Sequence, residues 1–159
     1  MMLVVGKCTT SKLIDENYNP ASKRSEGAGR TAFSGSHQKR TSTFVGFGKD
    51  DDAAKIPLAK KKVLELRIFH DENNKMNLSV KDIGGSLLLV PQFTLYADCR
   101  RGRRPDFTAA APPVLAENLF NQFTESIKET GINVQTGVFG AHMEVALVND
   151  GPVTIFMEF

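Results

Sequence analysis

The sequence predicts a mixed α/β protein of one domain, in which a β-sheet or barrel-like core is flanked by two main helices. At 159 residues the chain can form one domain, and a second full domain is not expected. Two segments place apolar residues at spacings of three and four, which is typical of amphipathic helices. Several shorter runs are rich in β-branched and aromatic residues, which suit a pleated sheet. We therefore treat residues 1–159 as a single domain.

The helices are predicted at residues 53–67 and at about 114–130. The aspartates at positions 50–52 suit the start of the first helix, because they can accept hydrogen bonds from its free N–H groups. Pro57 lies in the first turn of that helix, where proline is tolerated. The predicted apolar faces are Ile56, Ala59, Val63 and Leu66 in the first helix and Ala116, Leu119, Phe120, Phe123 and Ile127 in the second.

Strand-like runs lie on both sides of a polar region near the N-terminus. Residues 3–5 and 44–48 are predicted strands, whereas residues 9–43 have few large apolar side chains and many Ser, Gly, Asn, Lys and Arg. Such a composition buries little surface, so we expect loops, weak edge strands or disorder there. Residues 86–90 are continuously apolar and predict a strand buried on both faces. A shorter strand is expected at residues 76–80, and a strand followed by a turn is expected at residues 134–140.

The composition argues against several classes of protein. No apolar run approaches the roughly 20 residues that a membrane-spanning helix needs. Residues 1–5 are too short for the core of a signal peptide, so secretion is not indicated. Cys8 and Cys99 lack the spacing of a disulfide framework or metal pair, and we expect reduced thiols in a cytoplasmic protein. The three histidines lack metal-site spacing and no nucleotide-binding glycine loop is present, so no metal or cofactor is expected.

The net charge of +2 is unevenly distributed, which favours a polyanionic partner at the basic sites. The densest basic cluster consists of Arg100, Arg101, Arg103 and Arg104. Residues 7–49 also carry an excess of Lys and Arg. Residues 60–62 are three lysines on the outer side of the first predicted helix, where a solvated face explains them more simply than a nucleic-acid contact.

Residues 149–154 join two strand-like runs at 143–148 and 153–159. Gly151 tolerates positive φ, and Pro152 fixes φ and removes a backbone donor. The Gly-Pro pair is therefore a stiff point at which backbone carbonyls can remain free to bind a ligand. From the residues alone, a hairpin turn and a binding site explain this stretch equally well.

A second candidate site follows the buried strand at residues 86–90. Gln92, Phe93 and Thr94 place an amide, a hydroxyl and backbone N–H groups at the edge of the core, where reactive sites are often built. The simpler alternative is that Gln92 and Thr94 only satisfy the local backbone. The remaining members of the candidate site, near other strand ends, are Phe139, Gly140, Met143, Gly151 and Pro152.

Five separated blocks carry a family resemblance, and their common order makes them more specific than any one block. They are NLSV at 77–80, PQFTLYAD at 91–98, RGRRPDF at 101–107, QTGVFG at 135–140 and NDGPVT at 149–154. From about residue 45 to the end, the chain resembles the D-aminoacyl-tRNA deacylases. These enzymes remove wrongly attached D-amino acids, and in some cases glycine, from tRNA.

The resemblance implies a homodimer with active sites at the subunit interface and a cis Gly151–Pro152 bond. Gly151 and Pro152 of one subunit would enter the partner's pocket and offer two carbonyls to the ammonium group of the substrate. An L side chain would then collide with this rigid turn, whereas a D side chain would point away.

The resemblance also implies roles for the remaining candidates. Backbone N–H groups around Phe93 and Thr94 would stabilise the oxyanion formed during ester cleavage. Thr94 would position the substrate while the terminal ribose hydroxyl of the tRNA assists attack; the alternative is that Thr94 is the nucleophile. The four arginines of the basic cluster would contact phosphates near the 3′ end of the aminoacyl-tRNA.

Two positions depart from the family pattern. Pro91 stands where the family usually has Ser, as in a sister group that edits L-alanine from tRNA. Lys7 stands where the family has an arginine that braces the Gly-Pro turn, and lysine lacks the planar fork of arginine. L-alanyl-tRNA editing, and tRNA binding by a dimer without catalysis, therefore remain as alternative functions.

Overall fold

The computed structural model describes residues 1–14 and 39–159 of the chain. Its strands are β1 (Met2–Ile14), β2 (Arg40–Gly46), β3 (Phe69–His70), β4 (Met76–Leu78), β5 (Ser86–Pro91), β6 (Asn133–Thr136) and β7 (Glu144–Glu158). Its α-helices are α1 (Ile56–Glu65) and α2 (Pro113–Lys128). Short 3-10 helices cover Ala53–Lys55 and Phe93–Tyr96. No helix in the described ranges is long and apolar enough to cross a membrane.

The main sheet has the strand order β6-β5-β2-β1-β7, and β3 pairs with β4 in a small separate sheet. Strand β1 runs antiparallel to β2 and to β7, whereas β2, β5 and β6 run parallel to one another. Parallel neighbours require a crossover connection. Helix α1 lies in the connection from β2 to β5, and α2 lies in the connection from β5 to β6. The predicted mixed α/β fold, with a sheet and two helices, is confirmed.

The core lies between one face of the sheet and the two helices. Helix α2 buries the predicted apolar face, because all five of its residues are buried. Helix α1 buries Leu64 in addition to Ile56, Ala59 and Val63, whereas Leu66 is only partly buried beyond the end of the helix. From the sheet, Leu3, Val5, Val45, Leu87 and Leu89 complete this core. The predicted burial of β5 on both faces is also confirmed, since residues 86–90 are all buried.

The sequence predicts loops or weak edge strands at residues 9–43, and this prediction is wrong for residues 40–43. Strand β2 begins at Arg40 and lies in the middle of the sheet, with β1 on one side and β5 on the other. Thr41, Ser42 and Thr43 are almost fully buried, since short side chains fit between a sheet and its neighbours even when they are polar. Strand β1 extends to Ile14 rather than ending at Val5. Residues 15–38 lie outside the described residues.

The hairpin considered for residues 149–154 is not formed. Both halves of β7 pair with the same strand β1, so the chain continues in one direction. Gly6 is opposite Thr154 and Cys8 is opposite Asn149. Only one residue of β1 therefore lies between these two pairs, whereas four residues of β7 do. Asp150, Gly151 and Pro152 protrude from the ladder, and we call them the 150–152 bulge.

A buried carboxylate joins several elements beside the end of β2. Asp51 accepts hydrogen bonds from Gly48 N at 2.6 Å and from Tyr96 Oη at 3.1 Å. It also forms ion pairs with Lys55 Nζ at 2.6 Å and with the amino group of Met1 at 2.5 Å. Burial opposes ionisation, but the bonds from Lys55, Met1 and Gly48 outweigh it and lower the pKa of Asp51 to about 2.

Asp51 should give the protein a defined acid dependence of stability. Since its folded pKa of about 2 lies below its ordinary value of 3.8, its contribution is complete above pH 3.8 and is lost as the pH falls through 2. We expect a contribution of about 2 kcal/mol to the free energy of unfolding at neutral pH. Urea unfolding of wild type and Asp51→Asn should differ most near neutral pH, and the difference should shrink towards the acid end. A difference that does not change with pH would contradict this assignment.

Candidate active site

The Phe93–Tyr96 helix starts directly after β5, at the edge of the core. Strand β5 ends at Pro91, which is paired with Val45, and Gln92 N donates to Val45 O at 2.8 Å. Gly46 allows the helix to lie against β2, because a Cβ at this position would be 2.9 Å from Gln92 O. A buried strand and a glycine therefore fix where this helix begins.

The first two side chains of this helix, Phe93 and Thr94, are exposed. Phe93 is 57% exposed, and its ring meets the edge of Phe107 with centroids 5.1 Å apart. Gln92 Nε2 donates to Thr94 Oγ1. The simpler alternative was that the side chains of Gln92 and Thr94 only bond to nearby backbone groups. The observed bond instead joins the two side chains to each other. No hydrogen bond within the described ranges connects a titratable side chain to the Thr94 hydroxyl.

The backbone of the same helix can bind an anion. Phe93 and Thr94 are its first two residues, and the first N–H groups of a helix have no acceptor within it. Both N–H groups are thus available to an oxygen that becomes negatively charged when an ester is attacked. This geometry suits acyl transfer.

Pro91 and Met143 are brought together over Gly137. A Cβ on Gly137 would lie 2.8 Å from Met143 Sδ and 3.0 Å from Pro91 Cδ, so only glycine leaves room for both side chains. Gly137 N donates to Leu89 O at 2.7 Å, which ties this position to β5. Two predicted site residues therefore form one wall next to the start of the Phe93–Tyr96 helix.

Phe139 and Gly140 lie in the connection between β6 and β7. The ring of Phe139 is partly buried and packs against the core. Gly140 is exposed with φ of 72°, in a turn where Ala141 N donates to Val138 O at 3.3 Å. Within the chain, Phe139 thus contributes to packing, and Gly140 occupies a left-handed turn position that suits glycine.

The 150–152 bulge contains the second predicted site. The Gly151–Pro152 peptide bond is cis, as the resemblance implies, and both residues are exposed. Asn149 closes the base of the bulge, since its Nδ2 donates to Thr154 Oγ1 at 2.7 Å and its Oδ1 accepts from Val153 N at 3.2 Å. Gly151 has φ of 122°, and a Cβ there would lie 2.8 Å from Val153 Cγ2. Any side chain at this position would disturb the bulge.

Lys7 reaches the bulge from β1. Its side chain is 5% exposed, and Nζ lies 3.1 Å from Oδ2 of Asp150, which is half exposed. Lys7 therefore holds the residue directly before Gly151. A single ammonium contact replaces the two parallel bonds that an arginine could make.

The arginine cluster lies in a loop closed by backbone pairing of Asp98 and Asp106, with N···O distances of 2.7 and 3.0 Å. Arg100 is held by Asp98, since Nε and Nη2 lie 2.9 and 2.5 Å from its two oxygens. These bonds lower the pKa of Asp98 to about 2. The other three arginines of the cluster, Arg101, Arg103 and Arg104, are exposed and form no ion pair within the described ranges.

The predicted site residues thus form separate groups within one chain. Among residues 1–14 and 39–159, no hydrogen bond or ion pair joins the 150–152 bulge to the Phe93–Tyr96 helix. The same part of the chain contains no group of three or more His, Cys, Asp or Glu side chains that could hold a metal ion.

Four residues around the site were not predicted from the sequence. They are Asp51, Tyr96, Phe107 and Gly137. The sequence predicts that the aspartates at positions 50–52 start the helix, but of these Asp52 is the N-cap, and it accepts from Ala54 N at 2.9 Å. The contacts of the other three are between segments distant in sequence, so no local pattern indicates them.

Comparison with known proteins identifies the family. The sequence model described as D-Tyr-tRNA(Tyr) deacylase matches residues 29–158, starting well before the resemblance found at residue 45. The chain belongs to the D-aminoacyl-tRNA deacylase family. A protein named D-aminoacyl-tRNA deacylase from Chlorobaculum tepidum is 59% identical over 116 residues, which cover 72% of this chain and 77% of that protein. One of the same name from Thermosipho africanus is 53% identical over 115 residues, with the same coverage.

Solved structures share the fold of this chain. A structure described as c-Myc DNA Unwinding Element Binding Protein has a TM-score of 0.82 and 31% identity, and the match covers 100% of this chain and 99% of that chain. A probable eukaryotic D-amino acid tRNA deacylase has a TM-score of 0.72 at 15% identity, with 98% of each chain covered, and shows the shared fold.

Proposed function

We propose that this protein hydrolyses the ester bond of D-aminoacyl-tRNA and releases free tRNA and the D-amino acid. It would thereby act as a chiral proofreading enzyme of translation in the cytoplasm. The observation that carries the proposal is the tethered, exposed Gly151–Pro152 bulge in a chain of the deacylase family. The named relatives support the reaction, since they are D-aminoacyl-tRNA deacylases.

The working unit in this proposal is a homodimer. Each chain has an exposed bulge and an exposed Phe93–Tyr96 helix, and no polar contact within the described residues joins them. A two-fold axis would bring the bulge of one subunit to the helix of the other. Strand β7 is the edge of the sheet, and Val148 and Phe156 on it are 59% and 56% exposed. Apolar side chains on an edge strand suit a subunit interface.

Selection of the D-enantiomer would follow from the rigidity of the bulge. The carbonyls of Gly151 and Pro152 would accept hydrogen bonds from the ammonium group of the substrate. With that group fixed, an L side chain would meet the bulge and a D side chain would point away from it. Asn149 and Lys7 hold the two ends of this segment, so it cannot yield without breaking their bonds.

Cleavage would rely on the start of the Phe93–Tyr96 helix. The N–H groups of Phe93 and Thr94 would stabilise the oxyanion, while the terminal ribose hydroxyl of the tRNA assists the attack of water. The hydroxyl of Thr94 accepts from Gln92. This supports positioning over nucleophilic attack, because no basic side chain among residues 1–14 and 39–159 is bonded to it. Pro91, Phe139, Gly140 and Met143 would form the surrounding wall of the pocket.

The decisive experiment compares D- and L-aminoacyl-tRNA as substrates, with chelator present. We expect D-aminoacyl-tRNA to be hydrolysed at least roughly a hundredfold faster than its L counterpart. Glycyl-tRNA is a further substrate to include. Gly151→Ala should lose turnover, since the added Cβ would lie 2.8 Å from Val153 Cγ2.

Each other outcome identifies a different function. Preferential hydrolysis of L-alanyl-tRNA would assign the protein to the sister group that shares Pro91. Binding of tRNA without turnover of any aminoacyl-tRNA would identify a dimer that has kept the fold and lost catalysis. Either result would refute the proposed D-specific reaction.

The exposed arginines should determine how activity depends on salt. Each phosphate contact contributes about 0.7 to 0.9 to the slope of log affinity against log salt concentration. Replacing Arg101, Arg103 and Arg104 with alanine should therefore lower the magnitude of the slope of log kcat/KM by about 2. Arg100 is left in place because Asp98 already holds it.

A matched control removes the same number of charges elsewhere. Replacing Lys60, Lys61 and Lys62 of α1 with alanine should leave the slope unchanged if these lysines only face solvent. An equal reduction in both triple variants would indicate a general charge effect and would remove the specific role of the arginine loop.

A further inference from the structure

We infer that Tyr96 and Asp51 are positioning residues of the deacylation reaction, because they fix the helix whose N–H groups would bind the oxyanion. The inference rests on the proposed function and extends it to two side chains that do not touch the substrate. It concerns how the Phe93–Tyr96 helix is held against the end of β2.

The Asp51 carboxylate, which accepts the hydrogen bond from Tyr96, is held in place by other contacts. The Asp51 side chain is only 4% exposed, and Gly48 N and Lys55 Nζ both lie 2.6 Å from its carboxylate oxygens. Tyr96 Oη donates to the same carboxylate at 3.1 Å. Burial, together with the charge of Asp51, raises the pKa of Tyr96, so the phenol keeps its proton and remains a donor. The helix is thus attached to a fixed, buried anchor.

The ring of Tyr96 fits a space left by two glycines of the β2 end. A Cβ on Gly48 would lie 2.8 Å from Cε1 and 2.9 Å from Oη of Tyr96. A Cβ on Gly46 would lie 3.3 Å from Cδ2 of the same ring. Because neither glycine carries a side chain, the ring lies directly on the backbone and its position is restricted.

The placement of Tyr96 determines the orientation of the helix start. Tyr96 is the last residue of a four-residue 3-10 helix that begins at Phe93. A 3-10 helix has three residues per turn, so fixing its last side chain fixes the rotation of the N–H groups of Phe93 and Thr94. An oxyanion site depends on such alignment, since a displacement of about 1 Å can reduce the rate by as much as a hundredfold.

Lys55 offers a matched comparison. It bonds to the other carboxylate oxygen, Oδ1 of Asp51, and to Phe159 O at 2.8 Å. Both of these hydrogen-bond partners lie outside the Phe93–Tyr96 helix, and within the described ranges Lys55 makes no hydrogen bond or ion pair with that helix. Loss of Lys55 therefore weakens the same buried cluster while the bond from Tyr96 to Oδ2 stays in place.

The test compares Tyr96→Phe, Gly48→Ala and Lys55→Met in the full-length protein with D-aminoacyl-tRNA as substrate. Tyr96→Phe should lower kcat about tenfold and leave KM within about twofold, because alignment in the transition state is lost while tRNA binding is kept. Gly48→Ala should reproduce this loss by displacing the ring. Lys55→Met should lower Tm at least as much as Tyr96→Phe but keep kcat within about twofold of wild type.

The inference is overturned if Tyr96→Phe leaves kcat unchanged, or if it alters KM alone. It is also overturned if kcat falls in all three variants in proportion to their loss of Tm, since Tyr96 would then act only on stability. Absence of turnover in the wild-type protein would contradict the proposed function itself and remove the basis of the inference.

Discussion

The pairing of β1 with both halves of β7 is the constraint on which the rest of the site depends. Because β1 continues without interruption, the three extra residues of β7 have to leave the ladder, and they form the 150–152 bulge. The same strand supplies Lys7, whose ammonium group holds Asp150 from below. One strand therefore both creates the protrusion and limits its movement, which is what the proposed recognition by the carbonyls of Gly151 and Pro152 requires.

A second constraint acts at the opposite side of β1, through β2. The Phe93–Tyr96 helix follows a buried parallel strand and lies against glycines 46 and 48, with Asp51 as its anchor. The proposed chemistry places few demands on side chains, because backbone N–H groups and carbonyls supply most of the contacts. Such a site depends more on how its segments are held than on which reactive groups it contains.

The sequence predicted the elements with strong periodicity and missed those whose pattern depends on tertiary contacts. The apolar face of α2 and the buried run of β5 were predicted because local spacing determines them. Residues 40–43 look like a loop because Thr and Ser are polar, yet pairing on both sides makes them part of a central strand. Gly151–Pro152 looks like a hairpin turn in the sequence, since nothing local shows that both flanking runs pair with β1. The site motifs at 91–98 and 149–154 were visible, whereas the contact of Tyr96 with Asp51 joins residues 45 positions apart.

The central claim is that the bulge of one subunit completes the site of its partner. Co-expression with two different tags can yield a heterodimer of Gly151→Ala with a subunit carrying Phe93→Pro, which removes the N–H group of residue 93 at the first position of the helix, where proline is tolerated. One of its two sites would combine an intact bulge with an intact helix, so the account predicts about half of wild-type turnover per dimer, although either parent homodimer is inactive. A stable heterodimer with no activity above its parents would contradict the claim, because each subunit would then use its own bulge.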